Sequence, residues 1–335
     1  MAIKLHSIKD AILGVFRAFP RYMAMPLRPL TRKSPPQIVM GSGPRVFYVA
    51  NGYRHWISDF TTWLKQNNVR WPEDVKIITD ERLRQYTSGR PLARKYSDSD
   101  WHNPPIYSSL AMRELVASKL KGTGLEIGAG SNPFPVPLAC RVIYGDRLGV
   151  NQLHDEQYPG EHDEIIPPDL ETDLETFEGV DDSSLDFIVA SHVIEHTRNP
   201  LGAILKANQK LKPGGQLILV VPDKERTFDR ARATTLLEHL VLDYHSPSIT
   251  RDKEHYFDFY TKAFNMYTPA DLLEETIEKN SAIAYSIHFH TWTYESFGEM
   301  ISYLNEHVAK WSRIWSHPTL PNIELDNEFY FVLTK

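Results

Sequence analysis

The residues best able to do chemistry lie in the middle third of the chain. Leu125 to Phe134 reads LEIGAGSNPF, with Gly128 and Gly130 two apart behind Glu126. Glycines at that spacing let the backbone turn sharply and let a ligand approach where a Cβ would collide. A dinucleotide fingerprint needs a third glycine at the following helix, and Pro133 and Phe134 occupy that stretch instead, which argues against a tightly bound pyrophosphate. Asp146 stands sixteen residues after Gly130, where its carboxylate can accept both hydroxyls of a ribose. A hydrogen bond to such a charged acceptor contributes roughly 1.5–3 kcal/mol. Asp173, in DLETF, is placed to take an adenine amino group, with the amide of Leu174 against a ring nitrogen; a solvated loop carboxylate is its competing reading. Together these residues describe a pocket for an adenosine-type cofactor.

A second group suits proton transfer, for which histidine is the commonest side chain. His192, Glu195 and His196 follow Ser191 in SHVIEH; if that run opens a helix, the two histidines share one face. No third partner can be named for them, so no metal is expected. Further along, Asp223, Arg226 and Asp229 precede two dense stretches, EHLVLDYH and RDKEHYFDFY. A solvated charged helix is the ordinary explanation of such composition. The alternative is a polyhydroxylated substrate, with aromatic rings under sugars and charged groups on hydroxyls. On that reading Asp223, Arg226, His239, Tyr244, Arg251 and Tyr256 are substrate contacts and His255 is another proton acceptor. His288 and His290 flank Phe289 and should point to one side; Thr293 can cap the helix that begins at TWTYESF.

The elements that must hold these residues follow from hydropathy. From residue 107 onward, strands alternate with helices: a helix over 108–120, then strands at Gly124–Ile127, Arg141–Tyr144, Leu185–Ala190, Gln216–Val221 and Glu328–Leu333. This is the pattern of a parallel sheet covered on both faces. Ligands of such sheets bind beyond the carboxyl ends of the strands, so the insertion at 226–288, which leaves that edge, reads as a lid or substrate pocket. Upstream, RVFYVANGYRHWI (45–57) reads as a hairpin about Asn51-Gly52. With a helix over 58–67 it forms a small accessory module at 40–93. Its aromatic hairpin followed by VRWPEDVKIITDERLRQYTSG resembles a repeat unit of bacterial surface-associated proteins, a likeness that assigns no chemistry.

LDFIVASHVIEHTRNP (185–200) and LKPGGQLILVVP (211–222), with LEIGAGSNPF and the acid of YGD, resemble a class I S-adenosylmethionine-dependent methyltransferase of the small-molecule type, over roughly 120–225 and the terminal strand. The resemblance implies an α/β fold: a Rossmann-like seven-stranded sheet with a reversed last hairpin, here with a helical lid and the small N-terminal α+β module. It implies S-adenosylmethionine as cofactor, held at Glu126, Gly128, Gly130, Asp146, Asp173, Leu174, Ser191 and His192, and a structural role for LKPGG. A sulfonium carries its own activation, so the protein chiefly aligns donor and acceptor, an effect worth roughly 7–11 kcal/mol. An oxygen acceptor also needs a base, for which His192, Glu195, His196 and His255 stand open. PDKERTFD with EHL, DY and RDKEHY resembles methyltransferases encoded with cell-surface polysaccharide enzymes, which implies an oxygen of a sugar, glycan or lipid-linked intermediate. A small metabolite or quinone-like lipid is the first alternative, and a cofactor-binding sensor without turnover is the second.

Composition bounds the rest. The 335 residues are 41% hydrophobic and 24% charged, with no apolar run near the roughly 20 residues of a membrane-spanning helix. The single cysteine, Cys140, excludes an intramolecular disulfide framework and a Cys-rich zinc site and suits the cytoplasm. A net charge of −6 gives no general attraction to nucleic acid, and Ala190-Ser191-His192-Val193 is not the signature of amino-directed DNA methylation. The charge is uneven: residues 1–35 carry +6 and the remainder −12. In that segment Leu5, Ile8, Ile12, Val15 and Phe19 form one helical face. Docking on the protein or a second subunit, peripheral binding to an anionic membrane, and a transit peptide are the readings open for it. The oligomeric state is not legible.

Overall fold

The computed structural model describes residues 36–42, 45–50, 52–57, 63, 67–70, 73–92, 108–153, 165–263, 269–320 and 326–335. The basic segment 1–35 and most of the helix expected at 58–67 lie outside the described residues. The chain divides into two compact units, Met1–Leu92 and Ala93–Lys335.

In the first unit the hairpin read from RVFYVANGYRHWI is present: β2 (Val46–Ala50) pairs antiparallel with β3 (Tyr53–Ile57). Gly52 between them has φ +86°, which only glycine adopts without cost. β1 (Gln37–Met40), β4 (Val75–Ile77) and β5 (Thr87–Leu92) complete a five-stranded sheet of order β4-β1-β2-β3-β5. Met40, Val46, Ile57, Trp63 and Leu92 fill its core. The short helix α1 (Asp80–Arg84) starts at Thr79, whose side chain accepts from the Arg82 amide, with Asp80 and Glu81 in its first turn.

The second unit is built on seven strands in the order β11-β12-β10-β9-β6-β7-β8. They are β6 (Thr123–Ile127), β7 (Arg141–Asp146), β8 (Leu170–Glu171), β9 (Leu185–Ser191), β10 (Leu211–Pro222), β11 (Arg313–His317) and β12 (Glu328–Thr334), with the one-turn helix α3 (Val150–Gln152) after β7. All neighbours are parallel except β12, which runs antiparallel to both β10 and β11. This is the Rossmann-like sheet with a reversed last hairpin that the resemblance implies. LILVV is apolar throughout because both faces of β10 are covered. Leu217, Leu219 and Val221 pack with α4 (Pro200–Lys210) and α8 (Tyr294–His307), while Ile218 and Val220 join the cluster of Met112, Leu115 and Val116 on α2 (Ser109–Ala117).

Two strands of this sheet were not foreseen, nor were β1, β4 and β5 of the first unit. β8 has two residues, too few for a period to register, and β11 is an edge strand of sequence RIWSH whose first two residues are exposed. LKPGG lies inside β10 rather than in a separate turn before it: pairing with β9 begins at Leu211 and shifts register before Gln216, with Gly214 at φ +78°. The insertion is helical, as α5 (Leu237–His245), α6 (Ile249–Lys262) and α7 (Ala270–Ala282). Thr293 caps α8 through a reciprocal bond pair with Ser296. Among the described residues no helix is long and apolar enough to cross a membrane.

Candidate active site

The carboxyl ends of β6, β7 and β9 open on a cavity of about 350 Å³, within the range of small-ligand and cofactor sites. Gly128, Asp146, Asp173, Leu174 and His192 line it, as the sequence reading expects. Gly128 has φ +70°, and a Cβ there would lie 2.9 Å from Val193 Cγ2, so this position needs glycine for both conformation and space. Asp146 is the last residue of β7; burial pushes its carboxyl up, against the Leu148 amide that donates to Oδ1 at 3.2 Å. Asp173 Oδ1 accepts from the amides of Glu175 and Thr176 and from the Thr176 hydroxyl. It therefore caps a turn, and only its second oxygen is left for an exocyclic amine. The backward turn, the strand-end carboxylate and the cavity size fit an adenosyl cofactor.

Other expected cofactor contacts do not line the cavity. Glu126 is buried and its Oε1 accepts from the Phe134 amide at 2.7 Å; it ties the strand end to the loop. Gly130 accepts the Ile166 amide through its carbonyl, and Ser191 stays in the sheet opposite Val220. The structure adds contributors that carry no sequence signal at that distance, chiefly Glu175, Arg198, Ser286 and Phe289. The last two come from the chain end of the insertion, some ninety residues beyond His196.

The proton-transfer group is rearranged relative to expectation. His192 and His196 do not share the face of an α-helix: His192 has φ +55°, Ile194–His196 is a single 3₁₀ turn, and α4 begins only at Pro200. A non-glycine residue in that region is strained, and this one lines the cavity. His192 Nε2 lies 2.8 Å from Glu328 Oε2 at the start of β12. His196 also lines the cavity and its Nδ1 meets Ser286 Oγ at 3.0 Å. Burial, reinforced by nearby His288, pushes His196 down to about 3.

Behind the wall sits Glu195, fully enclosed, with both carboxyl oxygens lacking hydrogen-bond partners among the described residues. Burial pushes its carboxyl up, while His288 and His192 oppose that. His192, His196 and His288 approach Glu195 Oε1 at 3.9, 4.0 and 3.9 Å. His288 is in turn held by Asp229, Nδ1 to Oδ2 at 2.6 Å, and Asp229 by Arg232 at 2.8 Å. Glu195, His196 and His288 are thus close enough to share a cation. His192, which the sequence reading paired with His196, is not in this group; His288 takes its place.

The expected substrate contacts are placed elsewhere, and none of the six lines the cavity. Asp223 caps the 3₁₀ turn Lys224–Arg226 and accepts from Thr319, and Arg226 donates to the carbonyls of Leu320 and Asp326. Tyr256 is fully buried, donating to the Tyr285 carbonyl, and Tyr244 packs on the main core. Charge and aromaticity in the insertion thus serve its folding. His239, Arg251 and His255, the last expected as a base, belong with Asp243 and His290 to a separate cluster. His288 and His290 therefore serve different clusters, with Phe289 between them on the cavity wall.

A family model described as a methyltransferase domain matches residues 102–307. No curated protein sequence matches the chain. Among solved structures, the CurJ carbon methyltransferase is 16% identical with a TM-score of 0.37, covering 68% of this chain; the chain spans about half of that structure's length, 55%. A SAM-dependent methyltransferase from Thermotoga maritima is 19% identical with a TM-score of 0.34, covering 67% of this chain and 88% of its own. The family match spans well over half of the chain and contains the glycine turn, the strand-end carboxylate and the cavity they line: the chain belongs to the S-adenosylmethionine-dependent methyltransferases.

Proposed function

We propose that the protein methylates a hydroxyl oxygen of a sugar-containing acceptor, a glycan or lipid-linked intermediate, with His192 as the proton acceptor. The observation that carries this reading is the Glu328–His192 pair at the cavity wall. The Glu328 carboxylate accepts from Nε2–H, so the neutral ring keeps its lone pair on Nδ1. A thioether or tertiary-amine acceptor has no proton to lose and needs no such base; a hydroxyl, like an acidic C–H, does. Bound S-adenosylmethionine supplies an activated methyl group. The chain's own work is to hold the nucleoside at Gly128 and Asp146, to position the acceptor, and to receive its proton at His192.

The glycan assignment is supported by the resemblance of PDKERTFD and the stretches after it, and by charged groups in the cavity wall. Glu175 Oε1 accepts the amides of Arg198 and Asn199 at 2.9 and 3.0 Å, and the Arg198 guanidinium lies 4.5 Å from the centre of the Phe289 ring. A carboxylate in the wall and a guanidinium over an aromatic face, the latter paired with Asp252, suit a hydroxyl-rich ligand. A lipid-linked acceptor is also consistent with the +6 charge of residues 1–35.

Two measurements test this. Labelled methyl from the cofactor, incubated with cell-envelope extracts, is expected in a base-stable glycan ether. Label confined to a quinone or small-metabolite fraction replaces the acceptor assignment, and cofactor binding without transfer favours a sensor. Separately, Asp146→Ala is expected to weaken S-adenosylhomocysteine binding in calorimetry by roughly 10–150-fold, the loss of a charged acceptor worth roughly 1.5–3 kcal/mol. Unchanged affinity removes Asp146 from the cofactor site.

A further inference from the structure

We infer that His239, Asp243, His255 and His290 form a four-ligand site for a divalent metal of the zinc class, separate from the cofactor cavity. Three elements supply it. His239 and Asp243 lie one helical turn apart on α5 and so share a face; His255 comes from α6, and His290 from the segment that follows α7. One ligand atom from each residue lies within 4.8 Å of all the others. His239 Nε2 is 3.0 Å from both Asp243 Oδ2 and His255 Nε2, and Asp243 Oδ2 is 4.0 Å from His255 Nε2 and 3.9 Å from His290 Nε2. A tetrahedral zinc with bonds of roughly 2.0–2.1 Å sets its ligands about 3.3 Å apart, so a small contraction or expansion of this set encloses the ion.

Hydrogen bonding alone leaves the cluster incomplete. The single proton on His239 Nε2 can serve Asp243 Oδ2 or His255 Nε2 but not both, and His290 Nδ1 is buried with no hydrogen-bond partner among the described residues. A cation at the centre would satisfy the converging atoms together. The outer contacts follow the pattern of metal-ligating side chains, whose remaining polar atoms are held by fixed groups. Asp243 Oδ1 accepts from Arg251 Nε at 2.6 Å, leaving Oδ2 for the ion. His290 Nε2 donates to the Arg198 carbonyl at 3.3 Å, which leaves its unpartnered Nδ1 for the ion, and His255 hydrogen-bonds the backbone of Phe289. Imidazole with one carboxylate favours zinc and its neighbours over magnesium or calcium. With four protein ligands and no open position, the site is structural: it ties α5 and α6 to the segment whose Phe289 walls the cavity.

The test uses full-length protein stripped with a chelator, reloaded with zinc chloride alone, desalted and analysed for metal. One zinc per chain is expected, together with a tetrahedral cobalt(II) absorption band when cobalt replaces zinc. His239→Ala, at the most exposed of the four positions, should abolish both. Arg251→Ala should weaken binding by roughly 10–100-fold, as outer contacts do, and His196→Asn, in the other cluster, should retain the metal. Folding is controlled by melting: stripped wild type and His239→Ala should melt alike, and zinc should raise the melting temperature of wild type only. The inference is overturned if wild type keeps no zinc, if His239→Ala keeps it, or if His196→Asn loses it. The last result would assign the ion to the cluster around Glu195.

Discussion

His192→Asn is expected to lower kcat by roughly 10²–10⁴-fold, the usual contribution of a positioned acid or base, while S-adenosylhomocysteine binds as before. Asparagine is chosen because it tolerates the left-handed backbone found at φ +55°, so the loop keeps its course and only the ring is lost. Of the three histidines near the cavity, His192 alone combines exposure to it with a carboxylate partner. His196 lines the cavity but is pushed down to about 3 by burial, which makes it too weak a base near neutral pH. His288 has a carboxylate partner in Asp229 but does not line the cavity. If kcat is unchanged, or cofactor affinity and kcat fall together, His192 is a pocket residue and the base lies elsewhere.

The cavity-lining Gly128 and Asp146 were legible because their placement depends on local geometry. A glycine turn at the end of one strand and an acid at the end of the next are separated by a short crossover, and parallel strands in a buried sheet announce themselves as runs such as LDFIVA and LILVV. The catalytic half depends on contacts between distant residues. Glu328 is 136 positions from His192 and Asp229 is 59 from His288, and no single sequence shows such pairings. The same distance hid the metal cluster: His239 and His255 were visible as polar residues in a lid, but nothing nearby indicated that His290 would turn toward them. Composition misled at Tyr256 and Arg226, where side chains suited to sugar recognition are spent on the fold. The φ of His192 was equally illegible, since helix periodicity carries SHVIEH into a regular helix that the strained loop interrupts.

Glu328→Gln is expected to cost about 3–5 kcal/mol of stability at pH 7, the cost of removing one partner from a buried ion pair, or on the order of 10 °C in Tm for a domain of this size. Arg113 on α2 meets Glu328 with two parallel bonds, Nε to Oε1 at 2.9 Å and Nη2 to Oε2 at 2.5 Å, and the Tyr330 hydroxyl donates to the same carboxylate. Glutamine keeps the shape but leaves the Arg113 guanidinium buried without a counter-charge. Burial opposes ionisation of Glu328, yet the bonds from Arg113 and His192 outweigh it and hold the carboxyl well below its usual range. A depressed carboxyl contributes its full stabilisation above the unfolded pKa of about 4.3 and loses it as pH falls toward the folded value. The Tm difference between wild type and Glu328→Gln should therefore be constant from pH 7 to about 5 and narrow on further acidification. Scanning calorimetry across that range checks it; a gap as wide at pH 3 as at pH 7 would mean that the loss does not come from the ionised Glu328 carboxylate. The same substitution leaves one acceptor oxygen, which Arg113 and Tyr330 claim, and turns an amide NH2 toward His192 Nε2, so kcat should fall even at temperatures where the variant is fully folded. That residual loss separates the carboxylate's orienting role at the cavity from its role in fastening β12 to α2.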